Sequence, residues 1–120
     1  MKIISDEMHA GLDYLTVVIF ALAPSVIGFS GPAAIVSYVL AVVHLAMTLV
    51  TDMPFSLVKG LPIKLHSFVE LVVGPVLIVG SLLLPAPPPA RIFFAAMGAI
   101  ILVVWLSSRY GMTSDRSSIK

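Results

Sequence analysis

Two short patterns place an imidazole and a carboxylate four residues apart: His9-Ala-Gly-Leu-Asp13 and His66-Ser-Phe-Val-Glu70. On a helix, residues i and i+4 lie on one face. A carboxylate one turn from an imidazole can bind the same ion, or accept the second ring N–H and fix the tautomer. The third histidine, His44, shares a face with Thr48 and Thr51 through spacings of four and three, and Asp52 follows. The chain has no cysteine, so the available donors are nitrogen and oxygen. That set suits zinc, or non-haem iron or manganese, rather than copper(I). The candidate metal ligands are therefore His9, Asp13, His44, His66 and Glu70. Asp52 is a weaker candidate, because with Met53-Pro54 after it the residue reads first as a helix-ending turn.

Three kinds of chemistry fit these residues. A bound divalent ion would activate water, with Asp13 or Glu70 as general base, or would simply be held. His44 with His9 or His66 would supply both axial ligands of a b-type haem. A polar cluster that only locks helix packing, in a structural or partner-binding protein, is the third. Neither the Glu-x-x-His pattern of di-iron bundles nor His-Glu-x-x-His is present.

The elements that must position these groups are apolar. Of the 120 residues 59% are hydrophobic and 11% charged, against about 25% charged in soluble domains, and the mean hydropathy is +1.11. A spanning helix needs about 20 apolar residues. The run from Tyr14 to Thr51 is about twice that and is broken by Gly28, Gly31 and Pro32, which gives two helices and a turn. With two later runs, spans are expected at about 8–28, 33–51, 63–84 and 90–109. Barrel strands would alternate polar with apolar, which these runs do not. Ala21-Leu-Ala23 has the form of a signal-peptide cleavage site, but Pro24 follows it, and Asp6, Glu7 and Asp13 precede it in place of a basic run. The first span is kept, and the expected class is all-α: an integral membrane four-helix bundle forming one transmembrane domain over residues 1–120. Ionisable groups inside such a bundle are costly and are functional candidates by default.

Four spans put both termini and the central loop on one side. Lys2, Lys59, Lys64, Arg109, Arg116 and Lys120 fall there, against Arg91 alone on the other side. The positive-inside rule makes the first side cytoplasmic, with N-in/C-in topology. Trp105, Tyr110 and Tyr14 suit an interfacial belt. Residues 113–120 read as a disordered tail. Phe55, Leu57, Val58 and Leu61, beside Lys59 and Lys64, would let the central loop lie on the inner leaflet. The implied partner is the lipid bilayer. A net charge of +1 gives no basic field for nucleic acid. Homo-oligomerisation is compatible with the sequence. A transporter is disfavoured, since four spans make a narrow bundle and no discontinuous helix is evident.

An offset of 57 lays His9 on His66 and Asp13 on Glu70, each ahead of an apolar helix, a Gly/Pro turn and a second apolar helix. An even number of spans separates the copies, so the reading is two parallel two-helix repeats, about 8–51 and 63–109, related by a pseudo-two-fold axis along the membrane normal. Gly74, Gly80 and Gly98 would allow close helix approach.

The stretch Leu22-Ala-Pro24-Ser-Val-Ile-Gly28-Phe-Ser30-Gly31 resembles the signature of the SPW-repeat family of small bacterial and archaeal membrane proteins. There a Ser-Pro-Trp segment and a Gly-Phe turn close the first helix of each repeat. Here Ala23-Pro24-Ser25 stands in its place without the tryptophan, and the second repeat has only Gly80-Ser-Leu-Leu-Leu-Pro85. The resemblance lies mainly in the first repeat, residues 9–51. It implies the four-helix architecture and a prokaryotic cytoplasmic membrane, and it carries no established activity.

Overall fold

The computed structural model describes residues 3–108, which form four helices in chain order: α1 (Asp6–Ala23), α2 (Gly31–Val50), α3 (Ile63–Leu83) and α4 (Pro88–Ser107). A π-helical turn, Pro24–Gly28, extends α1. The expected spans thus appear, with starts two residues earlier for three of them. The spacing argument placed α2 and α4 after their prolines, whereas Pro32, Pro88 and Pro89 sit in the first turn. The missing N–H costs nothing there, because first-turn amides have no intrahelical acceptor. α1 begins at Asp6 because the Ser5 side chain accepts from the Met8 amide at 3.3 Å, with Asp6 and Glu7 at the positive end of the helix dipole. Lys2, Arg109, Tyr110, Asp115, Arg116, Lys120 and the 113–120 tail lie outside the described residues.

All four helices, of 20 to 23 residues with the π-turn included, are long and apolar enough to cross a membrane. Their surfaces invert the soluble pattern. Val42, Ile92 and Val103 are at least 60% exposed, while Ser37, Thr48 and His66 are fully buried. In water so large an apolar surface would aggregate. In lipid it faces its own kind, and the chain has the build of an integral membrane protein.

Two helical hairpins, α1–α2 and α3–α4, supply most of the packing. In the second, α3 and α4 touch backbone to backbone where Gly74 meets Gly98. A Cβ on Gly98 would lie 2.6 Å from the Gly74 carbonyl oxygen, and one on Gly74 would lie 2.7 Å from Leu102 Cγ. Two of the three glycines singled out from the sequence therefore do allow close approach. At the end where the hairpins turn, Gly28 and Gly31 take positive φ (94° and 66°), and the rings of Phe20, Phe29, Phe93 and Phe94 pack with centroids 5.4–5.9 Å apart. Pro24 has no N–H for the Phe20 carbonyl. The Ser37 hydroxyl donates to that carbonyl instead, at 2.6 Å, as irregular backbone at membrane depth requires.

The other end is closed by two short straps. The Ile4 amide donates to Ser107 O and the Leu61 amide to Val50 O, each at 2.7 Å. Ile4 bridges Ser108, and Leu61 bridges Thr51. The central loop between α2 and α3 is pinned by Tyr14, whose hydroxyl donates to Phe55 O at 2.6 Å, and by Lys59 Nζ donating to Met53 O at 2.7 Å. Phe55, Leu57 and Val58 stay exposed on it.

Candidate metal centre

The His/carboxylate pairs begin α1 and α3, one to two turns inside the strap end. Their i, i+4 spacing points both members of each pair inward, and the hairpins bring the pairs face to face. His9, Asp13, His66 and Glu70 are each under 5% exposed. One ligand atom from each lies within 4.8 Å of the other three. His9 Nε2 is 2.9 Å from Glu70 Oε1 and 3.3 Å from Asp13 Oδ1. His66 Nε2 is 3.2 Å from Glu70 Oε1 and 3.2 Å from Asp13 Oδ2. Each imidazole thus faces the carboxylate of its own helix and that of the other.

The rear nitrogens decide what those front nitrogens can be. His9 Nδ1 lies 2.7 Å from Ser108 Oγ, and His66 Nδ1 lies 2.8 Å from Thr51 Oγ1. Each hydroxyl already donates its one hydrogen to the carbonyl four residues back, Ser108 to Val104 O and Thr51 to Met47 O. A hydroxyl whose hydrogen is committed can only accept, so both imidazoles carry their hydrogen on Nδ1. In a neutral ring Nε2 is then a bare lone pair. With both rings neutral, two such lone pairs converge on the two carboxylates; with a ring protonated, its Nε2–H donates to them instead. Buried His66 Nε2 and Asp13 Oδ2, 3.2 Å apart, make no hydrogen bond of good geometry. Acceptors at this range repel unless ring protons or a metal cation sit between them.

Ion geometry agrees. Zinc bonds of about 2.0–2.1 Å to nitrogen and oxygen give a tetrahedron with edges of about 3.3 Å; the imidazole–carboxylate separations are 2.9–3.3 Å, with Asp13 meeting His9 through Oδ1 and His66 through Oδ2. The group could hold a metal ion.

Of the six residues expected to converge, the structure brings five together. His44 stands at the edge: its Nε2 is 3.3 Å from Asp13 Oδ1, its side chain is 13% exposed, and its ring lies 6.1 Å from that of His66. It braces Asp13 and lies outside the group of four. Asp52 is exposed, with its amide on the Leu61 carbonyl, and behaves as the turn residue its neighbours suggest. Trp105, assigned to a lipid belt, donates its indole N–H to Ser67 Oγ at 2.8 Å. Ser108 is the residue that sequence reasoning missed. Its signal was available, since the offset of 57 lays it on Thr51.

That offset recurs throughout the geometry. It carries the starts of α1 and α2 onto those of α3 and α4, and the end of α2 onto the end of α4. It also carries the Thr51–His66 contact onto Ser108–His9, and one strap onto the other. His44 falls on Ile101 and has no counterpart.

No family model, no curated protein and no solved structure matches the chain. The site must be read from its own chemistry.

Proposed function

We propose that the chain is a membrane protein that binds one divalent transition metal, zinc or iron, through His9, Asp13, His66 and Glu70, at the cytoplasmic end of two parallel helix-pair repeats. The observation that carries this is the double hydroxyl brace, which turns both Nε2 atoms, lone pairs when the rings are neutral, onto the two carboxylates. One divalent ion would neutralise the two carboxylates and satisfy all four acceptors in a medium where uncompensated charge is costly. Lys59 and Lys64 at the strap end, against Arg91 at the turn end, support the cytoplasmic assignment among the described residues.

Holding fits better than turnover. Structural sites surround the ion with four protein ligands, whereas catalytic sites keep a position open to water, and all four ligands here are buried. Asp13 and Glu70 are then ligands before they are bases. The haem alternative, His44 with His9 or His66, fits less well, because an iron porphyrin needs clear space on the inner side of each axial imidazole, and carboxylate oxygens stand within 3.3 Å of Nε2 in all three.

The test is total metal analysis of protein purified without a histidine tag. One equivalent of zinc or iron per chain is expected, and it should be lost in His9→Ala/His66→Ala. Substoichiometric metal, unchanged by that double substitution, overturns the reading.

A further inference from the structure

At the turn end, opposite the polar cluster, a cavity of about 350 Å³ opens between α2 and α3. Its origin is visible in the positional correspondence between the halves. Across the α1/α4 interface, Phe20, Phe29 and Phe93 fill the space, with the Phe93 ring 5.6 Å from Phe20 and 5.9 Å from Phe29. The offset of 57 lays these three on Leu77, Ala86 and Val36, and all three line the cavity. One interface is closed by three aromatic rings. Its counterpart has a leucine, an alanine and a valine, and stays open.

The cavity's rim carries one charge. Arg91, exposed in the first turn of α4, is the only ionised side chain at the turn end among the described residues. It falls on the uncharged Ala34 under the same offset. Its Nε donates to Ser81 O at 2.9 Å and its Nη2 to Leu82 O at 3.4 Å, which fixes the guanidinium at the cavity mouth. A guanidinium has five N–H donors in a planar fork suited to phosphate, so three remain beyond these two. A cavity of this size lies within the range of about 300–1,000 Å³ usual for ligand sites.

We propose that this groove binds one anionic phospholipid, an acyl chain lying where the other interface has its phenylalanines and the headgroup phosphate on Arg91. Lipid is the solvent at that depth, the groove walls are apolar, and the only charge at its mouth has the sign that complements a phosphate. The proposal uses the correspondence between halves and is independent of the metal.

The test is to equilibrate the full-length protein with vesicles of equal parts phosphatidylglycerol and phosphatidylcholine, and to count lipids retained on the protein by native mass spectrometry. One phosphatidylglycerol per chain is expected, favoured about fivefold over phosphatidylcholine, the ratio equivalent to the ~1 kcal/mol that one basic side chain gains from anionic lipid. Arg91→Gln should bring the ratio to one, and Arg91→Lys should keep a preference. Val36→Phe/Ala86→Phe, which copies the closed interface, should abolish retention of both lipids without lowering Tm. Gly80→Leu should abolish it from the other wall: a Cβ there meets only Leu84 Cδ1, at 3.9 Å, so the substitution is accommodated even if the double variant folds poorly. A wild-type ratio of one, retention that survives both groove-filling variants, or an uncharged apolar molecule retained in place of phospholipid overturns the proposal.

Discussion

The two ends of this bundle treat the same correspondence in opposite ways. At the strap end, residues 57 apart do the same thing: His9 and His66 face the centre, Ser108 and Thr51 brace them, and Ile4 and Leu61 close the floor. At the turn end, residues 57 apart diverge, with phenylalanines in one interface and small aliphatics in the other. Polar geometry tolerates little drift, because a buried acceptor left without its partner costs about 1–3 kcal/mol. Apolar packing in a membrane tolerates more, since a lipid chain can take up the room that a side chain gives up. The end at which residues 57 apart correspond is the end with directional contacts.

The largest effect that would break the comparison is at Glu70, whose Oε1 lies within 3.2 Å of both imidazoles. Glu70→Ala removes one of the two carboxylates that face both imidazoles, the one that meets them through a single oxygen, and thermal unfolding in detergent should show a loss of about 3–5 kcal/mol, as when one partner of a buried charged cluster is deleted. Next come the braces. Thr51→Val and Ser108→Ala each leave one Nδ1–H unpaired, and each should weaken metal binding about 10–100-fold in a competition titration. Equal losses would sharpen the equivalence of the halves. A tenfold difference between them would break it.

A third measurement concerns the helix pairs themselves. Gly98→Val forces α4 off the Gly74 carbonyl and should cost about 1–3 kcal/mol. Its counterpart, Ala41, is buried with a Cβ already in place, so the α1–α2 crossing does not depend on that backbone contact. The smallest effect is expected at His44. His44→Ile copies position 101 and removes one contact to Asp13, costing about 0.5–1.5 kcal/mol with metal stoichiometry unchanged. Loss of the metal in that variant would make His44 a ligand, and the centre unsymmetrical.

Much of this was legible in the residues. Uncharged runs of 20 residues leave few alternatives to spanning helices, and the i, i+4 pairs at His9 and His66 could only point to one face. The errors are local. Pro32, Pro88 and Pro89 read as boundaries, because a proline's effect depends on whether its N–H would have had an acceptor, and only the first turn answers that. Asp52, by contrast, read first as a helix-ending turn residue, and it lies exposed just after α2 ends at Val50. Ser108 carried no signal by itself, since serine at a helix end is ordinary; its role follows from the packing of α4 beside α1. The groove was the least legible feature. Leu77, Ala86 and Val36 are unremarkable membrane residues until the interface they share is known.

The two straps have a topological consequence. Thr51 and Leu61 are joined by chain, through residues 52–60, while Ser108 and Ile4 lie just as close without that connection. The fold is a ring of four helices with one gap, and the gap lies where a second loop of the same length would fit. A circular permutant, with a copy of the 52–60 loop joining Ser108 to Ile4 and the chain opened within the original loop, is expected to keep the imidazole–carboxylate contacts and both hydroxyl braces. A permutant that folds and binds metal like the parent would show that chain order is separable from the arrangement it produces.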